Sequence, residues 1–375
     1  MDKRIWNPRS SLLKLQAAIE RGEVTIGFLG GSITEARPGH NWPEKVMAWL
    51  VETYPQVRFY VENAAIGATG SDLAVFRAGR DIVAKSCDVV FVEYAVNDHY
   101  APHERRSRSR EGLLRLLLAS SEADLVLVYT YLQAMYAEME AGGVPESIKE
   151  LEQLGEHYNI GSVWMGLYAF EEVRKGRMAW EEWLPDGLHP THRGSLSYAQ
   201  SVITFLEKQL HMERIRQPGV GEVPSLTENR GERVLPEPLN RHHWGNVSFV
   251  PFREVQTEGP WAVHRSVNLV WMEQMLTTSA VGAKLRFVFY GRGLTLGFDF
   301  GMFSADFLCR IDDGEALEIR MERAEWCPAE GLFHIETVAE DLLPERHEAE
   351  IEVIHGNGPR CQGTRFRLAF IGIIG

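Results

Sequence analysis

The chain has 375 residues, a hydrophobic fraction of 45% and a formal net charge of −13 at pH 7. This length and apolar content are sufficient for two domains with separate cores. The negative charge argues against a nucleic-acid partner, because such binding depends on lysine and arginine neutralising phosphates. The first eight residues are polar and no apolar run reaches membrane-spanning length, so we expect a cytoplasmic protein with no membrane partner.

The cysteines of the chain are also typical of a cytoplasmic protein. The four cysteines lack the paired spacing of a metal site; they are Cys87, Cys309, Cys327 and Cys361. We therefore expect reduced thiols and no bound metal. A homo-oligomer is compatible with the composition but is not required by it.

Residues 1–215 alternate apolar runs with helical patterns, which predicts an α/β domain whose parallel sheet is covered by helices on both faces. The predicted strands are 24–29, 59–61, 89–92, 125–129 and 161–165, and the predicted helices are 42–51, 72–84, 111–118, 145–157 and 195–210. The arginine-rich stretch Arg105–Arg110 is interpreted as a solvated loop before a helix, with an anion-binding role as the alternative.

The pattern changes after residue 215. Residues 216–245 begin with a segment rich in Pro, Gly and Glu, which predicts a linker or a surface strap. From residue 246 to 375 apolar residues alternate strictly with polar ones, as at Leu285, Phe287 and Phe289. This alternation predicts an antiparallel β-sandwich.

Ser32 is the first candidate site residue. It follows an apolar strand and two glycines, in the segment Phe28-Leu-Gly-Gly-Ser32. Such a turn can expose a serine hydroxyl and its backbone N–H together. The alternative is a serine that only caps a helix.

Asp186 and His189 are separated by two residues. A serine hydroxyl becomes a good nucleophile when a histidine takes its proton and a carboxylate orients that histidine. One loop can therefore aim both side chains at Ser32. The alternative is an ordinary turn that leaves His189 exposed.

Two further segments are candidates for stabilising an oxyanion. Asn97 follows a continuous apolar run at the carboxyl end of a predicted strand, where open α/β sheets bind ligands. Its alternative role is an Asx-turn. Gly67 and Ala68 lie in a turn after another predicted strand, and their backbone N–H groups are a second source of donors. The spacing matches neither a dinucleotide loop nor a P-loop.

Together these four segments resemble the SGNH or GDSL-type hydrolase superfamily, over about the first 210 residues. The resemblance implies a flavodoxin-like three-layer α/β/α fold and no cofactor. It implies Ser32 as nucleophile, His189 as base and Asp186 as its orienting carboxylate. An oxyanion hole would comprise Ser32, Asn97 and an N–H of Gly67 or Ala68.

The chain departs from the superfamily pattern at three places. The usual Gly-Asp-Ser is Gly-Gly-Ser here, so any role of that aspartate is absent or is supplied elsewhere, with Glu35 as the candidate. The usual Gly-x-Asn-Asp has alanine at its first position. The glycine of the second block falls on Ala68 when counted from Asn63, and which of Gly67 and Ala68 points inward stays open.

In the second domain, the segment Gly293-Leu-Thr-Leu-Gly-Phe-Asp-Phe300 is followed by Ile311-Asp-Asp-Gly314. With these segments the domain resembles the jelly-roll domain of carbohydrate esterase family 2, although in that family the sandwich precedes the hydrolase. Trp180 and Trp183 lie just before Asp186 and can line the rim of the pocket, but most of the ten tryptophans are expected to fill cores or domain contacts. The resulting hypothesis is a serine esterase that removes small acyl groups, acetyl above all, from carbohydrates or related small molecules. The alternatives are a lysophospholipase or thioesterase for longer acyl chains, and a non-catalytic carbohydrate-binding protein.

Overall fold

The computed structural model describes residues 4–216 and 234–375. Its internal contacts divide the chain into two compact units, with the boundary between Gly245 and Asn246. Among the described residues, no helix has the length and apolar character needed to cross a membrane.

The predicted linker is described only in its second part, because residues 217–233 lie outside the described residues. Residues 234–245 are part of the first unit. There the backbone N–H groups of Leu239 and Asn240 each donate to a carboxylate oxygen of Glu111 at 2.6 Å. Trp244 is fully buried.

The first unit is an α/β domain. Its strands are β1 (Trp6–Asn7), β2 (Glu23–Gly30), β3 (Arg58–Asn63), β4 (Val89–Glu93), β5 (Asp124–Val128) and β6 (Gly161–Val163). Its helices are α1 (Leu13–Arg21), α2 (Trp42–Thr53), α3 (Ser71–Asp81), α4 (His103–Ser120), α5 (Tyr136–Glu140), α6 (Glu146–His157), α7 (Met165–Arg174), α8 (Trp180–Trp183) and α9 (His192–Arg216).

These strands form one sheet in the order β1-β6-β5-β4-β2-β3, parallel except for β1. The parallel strands therefore follow the flavodoxin-like order, as expected. All five residues of β4 are buried, which is why its sequence is continuously apolar up to Glu93. The order changes direction between β2 and β4, so their carboxyl ends meet where such sheets bind ligands.

The second unit is all-β, as predicted. Its strands are β7 (Val247–Phe249), β8 (Gln256–Glu258), β9 (Ala262–His264), β10 (Met275–Thr278), β11 (Lys284–Gly291), β12 (Gly293–Phe300), β13 (Asp306–Ile311), β14 (Leu317–Ile319), β15 (Leu332–Ala339), β16 (Glu345–Ile354) and β17 (Phe366–Ile374).

Two antiparallel sheets share the core of this unit. One has the order β15-β12-β17-β10-β9, with β7 also on β17, and the other has the order β14-β13-β16-β11-β8. In β11, Leu285, Phe287 and Phe289 are buried in the common core, whereas Val288 and Tyr290 are exposed. The alternation in the sequence therefore corresponds to the two faces of the strand.

The prediction for Arg105–Arg110 is wrong. These residues lie within α4, which begins at His103, and the side chain of Arg110 is only 1% exposed. It donates to Asp98 Oδ2 at 2.8 Å, while Arg106 pairs with Glu150 at 2.6 Å. Asp98 and Glu150, and not solvent alone, therefore neutralise the charges of Arg110 and Arg106.

A buried carboxyl group lies under the turn that follows β2. Glu93 accepts hydrogen bonds from Thr34 Oγ1 at 3.2 Å and Thr130 Oγ1 at 2.8 Å, and the Gly31 N–H also donates to it. Burial raises the pKa of Glu93 to about 7, although these three hydrogen bonds oppose the rise. The group thus takes up a proton near neutral pH and connects the ends of β2, β4 and β5.

We expect Glu93→Gln to change how stability depends on pH. Between the ordinary glutamate pKa of 4.5 and about 7 the folded state keeps a proton that the unfolded chain releases. Raising the pH through this window therefore destabilises the wild type, by on the order of 3 kcal/mol. The amide variant has no such proton, so its free energy of unfolding should decline less.

Urea unfolding of both proteins at pH 5, 6, 7 and 8 measures this difference. Glu20→Gln, at an exposed position of α1, is the control and should follow the wild type. Parallel curves for wild type and Glu93→Gln would show that the buried carboxyl does not titrate in this range.

Candidate active site

Ser32 lies in the turn that leaves β2, and the glycine before it is required by close packing. A Cβ on Gly31 would lie 1.9 Å from Asn97 Oδ1 and 2.8 Å from Asn97 Nδ2, which no side chain tolerates. The Asn97 side chain therefore packs directly on the bare backbone beside Ser32. With Asn97 in this position, an aspartate side chain has no room at position 31.

Ser32, His189 and Asp186 form one chain of hydrogen bonds. Ser32 Oγ lies 2.9 Å from His189 Nε2, and His189 Nδ1 lies 2.9 Å from Asp186 Oδ2. With Nδ1 directed at the carboxylate, Nε2 is left to accept the serine proton. The three residues that the sequence singled out are thus brought together across 157 residues of chain.

The carboxylate of Asp186 is also held by the loop itself. Its Oδ1 accepts the backbone N–H groups of Leu188 at 2.9 Å and His189 at 2.7 Å. Burial alone would raise the pKa of Asp186, but the hydrogen bonds from the His189 ring and these two N–H groups outweigh it, and the pKa lies below its usual range. Asp186 is therefore ionised wherever His189 acts as a base.

Buried aromatic residues support this loop. The backbone carbonyl of Trp183 accepts the Thr191 N–H at 2.9 Å, and its indole ring packs on Tyr131 with 4.7 Å between ring centroids. Trp183 is fully buried. Its ring lies between Tyr131 and Tyr198 of α9, so Trp183 fills the core, as expected for most of the tryptophans, and does not line the rim of the pocket.

His40 lies against His189 and was not identified from the sequence. The two ring centroids are 4.9 Å apart with 34° between the planes. Burial, together with the proximity of His189 and Arg37, lowers the pKa of His40. The Pro38-Gly39 turn just before it, with Gly39 at φ +99°, was the available signal for a change of chain direction.

The turn after β3 distinguishes Gly67 from Ala68. Gly67 N–H donates to Glu35 Oε2 at 3.2 Å. Ala68 has φ +60°, the left-handed conformation that favours glycine, which accounts for the superfamily's glycine at this position. In the described parts of the chain, no protein acceptor takes the N–H of Ala68, the N–H of Ser32 or the side-chain amide of Asn97.

A buried ion pair fixes Asn97 and the start of α3. Asp98 Oδ1 accepts the Ser71 N–H at 2.9 Å, and Asp98 Oδ2 accepts from Arg110 Nε at 2.8 Å. Arg110 also donates to Ser147 Oγ at 2.7 Å. Because both charged groups are buried and paired, the segment that carries Asn97 is tied to three helices.

An apolar groove of about 720 Å³ begins at Glu35 and runs between α2 and β3. Met47, Ala48 and Val51 line one side, and Val61 lies on the other. Val51 and Val61 are about half exposed, at 51% and 46%. The groove can therefore hold an apolar group close to the candidate site.

Comparison with known proteins identifies a family whose model matches most of the first unit. Residues 28–195 match the model of the GDSL-like lipase/acylhydrolase family. A comparison with curated protein sequences gave no match. The matched segment contains Ser32, Gly67, Ala68, Asn97, Asp186 and His189.

Two solved structures share the fold over nearly the whole chain. Both are of a two-domain esterase active on acetylated mannans, one of them co-crystallized with mannopentaose. Each is 22% identical in sequence and covers 99% of this chain and 97% of its own, with TM-scores of 0.80 and 0.78. The two-domain architecture is therefore one already seen in an esterase. The first unit thus contains a GDSL-like lipase/acylhydrolase domain over residues 28–195, and the chain as a whole shares the two-domain fold of an esterase.

Proposed function

We propose that this protein is a serine esterase that removes acetyl groups from carbohydrates through an acyl-enzyme on Ser32. The observation that carries the proposal is the chain of hydrogen bonds from Ser32 Oγ through His189 to Asp186, at 2.9 Å and 2.9 Å. A hydroxyl, an imidazole and an ionised carboxylate in this order are the parts of a charge-stabilised nucleophile.

In the first half-reaction, Ser32 Oγ attacks the ester carbonyl carbon as His189 Nε2 takes its proton. The resulting imidazolium is stabilised by Asp186. It returns the proton to the leaving alcohol as the carbon–oxygen bond of the ester breaks. Water then attacks the acyl-enzyme by the same route, which releases the acid and regenerates the serine.

The oxyanion is assigned three donors: the N–H of Ser32, the N–H of Ala68 and the side-chain amide of Asn97. Ala68 is preferred to Gly67 because the Gly67 N–H already donates to Glu35. Such donors contribute most when they are fixed before the reaction. The packing of Asn97 on Gly31 and the buried Asp98–Arg110 pair supply that rigidity.

The substrate class rests on the shared two-domain fold. A likeness over 99% of the chain to an esterase active on acetylated mannans favours an acetylated saccharide as substrate here. The groove between α2 and β3 favours a second candidate, an esterase or thioesterase for longer acyl chains, since its lining is apolar and it begins next to the site.

We expect Ser32→Ala to lower kcat/KM on p-nitrophenyl acetate at least about a thousandfold, because the members of such a triad act as a unit. A serine-directed fluorophosphonate should label the wild type at Ser32, as located by peptide mass spectrometry. Ser120→Ala, at the exposed end of α4, is the control and should retain full activity. Undiminished hydrolysis by Ser32→Ala, with an unchanged melting temperature, would refute the assignment of the nucleophile.

The length of the acyl chain separates the two candidates. For a deacetylase we expect kcat/KM on p-nitrophenyl esters to be highest for acetate and to fall by about tenfold or more by hexanoate, because extra methylenes have no place in a closed acyl pocket. Val51→Asp should then leave acetate hydrolysis unchanged. A rise in activity towards octanoate that Val51→Asp abolishes would establish the groove as an acyl site and the second candidate as correct.

A further inference from the structure

A second carboxylate lies beside the proposed nucleophile, and the triad does not use it. Glu35 Oε2 accepts the Gly67 N–H at 3.2 Å. Arg37 binds both oxygens of the same carboxylate, with Nε 2.6 Å from Oε2 and Nη2 2.9 Å from Oε1. This two-point contact fixes the plane of the carboxylate as well as its charge.

The approach of Glu35 explains the glycine at position 67. A Cβ on Gly67 would lie 2.9 Å from Glu35 Oε2 and 3.2 Å from Arg37 Nη2. The same Cβ would lie 3.5 Å from Ser32 Cβ. The Glu35–Arg37 pair and Ser32 therefore both contact the turn after β3 at Gly67. A side chain at position 67 would therefore push the ends of Glu35 and Arg37 away from the turn.

The contact bears on the next residue, Ala68. Its φ of +60° is unfavourable for an L-amino acid with a side chain, by about 1–2 kcal/mol, so the turn requires support from outside. The Ile66 N–H, which donates to the Gly30 carbonyl at 3.0 Å, holds one side of the turn. The bond from Gly67 to Glu35 holds the peptide immediately before the Ala68 N–H.

We infer that Glu35 is a positioning residue of the oxyanion hole, and that Arg37 neutralises it so that it does not oppose the developing negative charge. The inference rests on the proposed function. In it, Glu35 acts on the turn that follows β3. An unpaired carboxylate at this turn would oppose the developing negative charge, because like charges repel.

The two parts of this inference require different variants. Glu35→Ala removes the acceptor for the Gly67 N–H and should displace the neighbouring oxyanion donor. We expect kcat on p-nitrophenyl acetate to fall about tenfold or more, with KM changed less than about threefold, because that donor acts mainly in the transition state. Glu35→Gln keeps an acceptor oxygen and should stay within about threefold of the wild type.

Arg37→Ala leaves an unpaired carboxylate at the turn and should lower kcat about tenfold in the wild-type background. In the E35Q background the same change should cost less than about threefold, since no charge remains to be neutralised. Glu20→Gln removes one exposed charge elsewhere and is the control. Melting temperatures of all variants separate loss of activity from loss of folded protein.

Three results would overturn the inference. Equal effects of Arg37→Ala in the two backgrounds would show that Arg37 does not act through Glu35. An effect on KM alone would make either residue a ground-state contact with the substrate. Full activity of Glu35→Ala would show that the turn holds without it. If Ser32→Ala remains active, it is the proposed function that fails, so the two failures are distinguishable.

Discussion

The candidate site depends on one contact, the packing of the Asn97 side chain on the backbone of Gly31. It joins the carboxyl ends of β2 and β4, the two strands between which the order of the sheet changes direction. With 1.9 Å between Asn97 Oδ1 and a Cβ at position 31, any other residue before Ser32 would displace the Asn97 side chain. The nucleophile turn and the amide donor are therefore held at a fixed separation by van der Waals contact, which changes little with pH or salt.

The charges around this contact are arranged so that none is left unbalanced at the site. Asp98 is neutralised by the buried Arg110, Glu35 by Arg37, and Asp186 is stabilised by hydrogen bonds from its own loop. Glu93 is the exception, since it is surrounded by neutral donors and its pKa is raised to about 7. A proton on Glu93, and not a paired cation, limits the negative charge of this carboxyl group beneath the nucleophile turn.

The two units differ in where polar residues lie along their strands. In the first, polar residues concentrate where strands end, because the buried parallel strands leave no polar positions within the sheet. In the second, exposed and buried residues alternate along β11 and β16, because one face of their sheet lies on the core, whereas β12 and β17 are buried along almost their whole length. The proposed chemistry accordingly lies in the first unit, at the ends of β2, β3 and β4 and in the loop before α9.

The sequence by itself determined the two architectures and named Ser32, Asp186 and His189 as candidates for a triad, because strand periodicity and the Asp-x-x-His spacing are local properties. It did not determine how distant segments satisfy one another. Arg110 is buried within a helix because its charge pairs with two carboxylates. These belong to Asp98, twelve residues away, and Glu150, forty residues away. The tertiary structure likewise directs the Gly67 N–H at Glu35 and brings His40 onto His189. Those outcomes depend on which groups meet across the fold, and no local pattern records them.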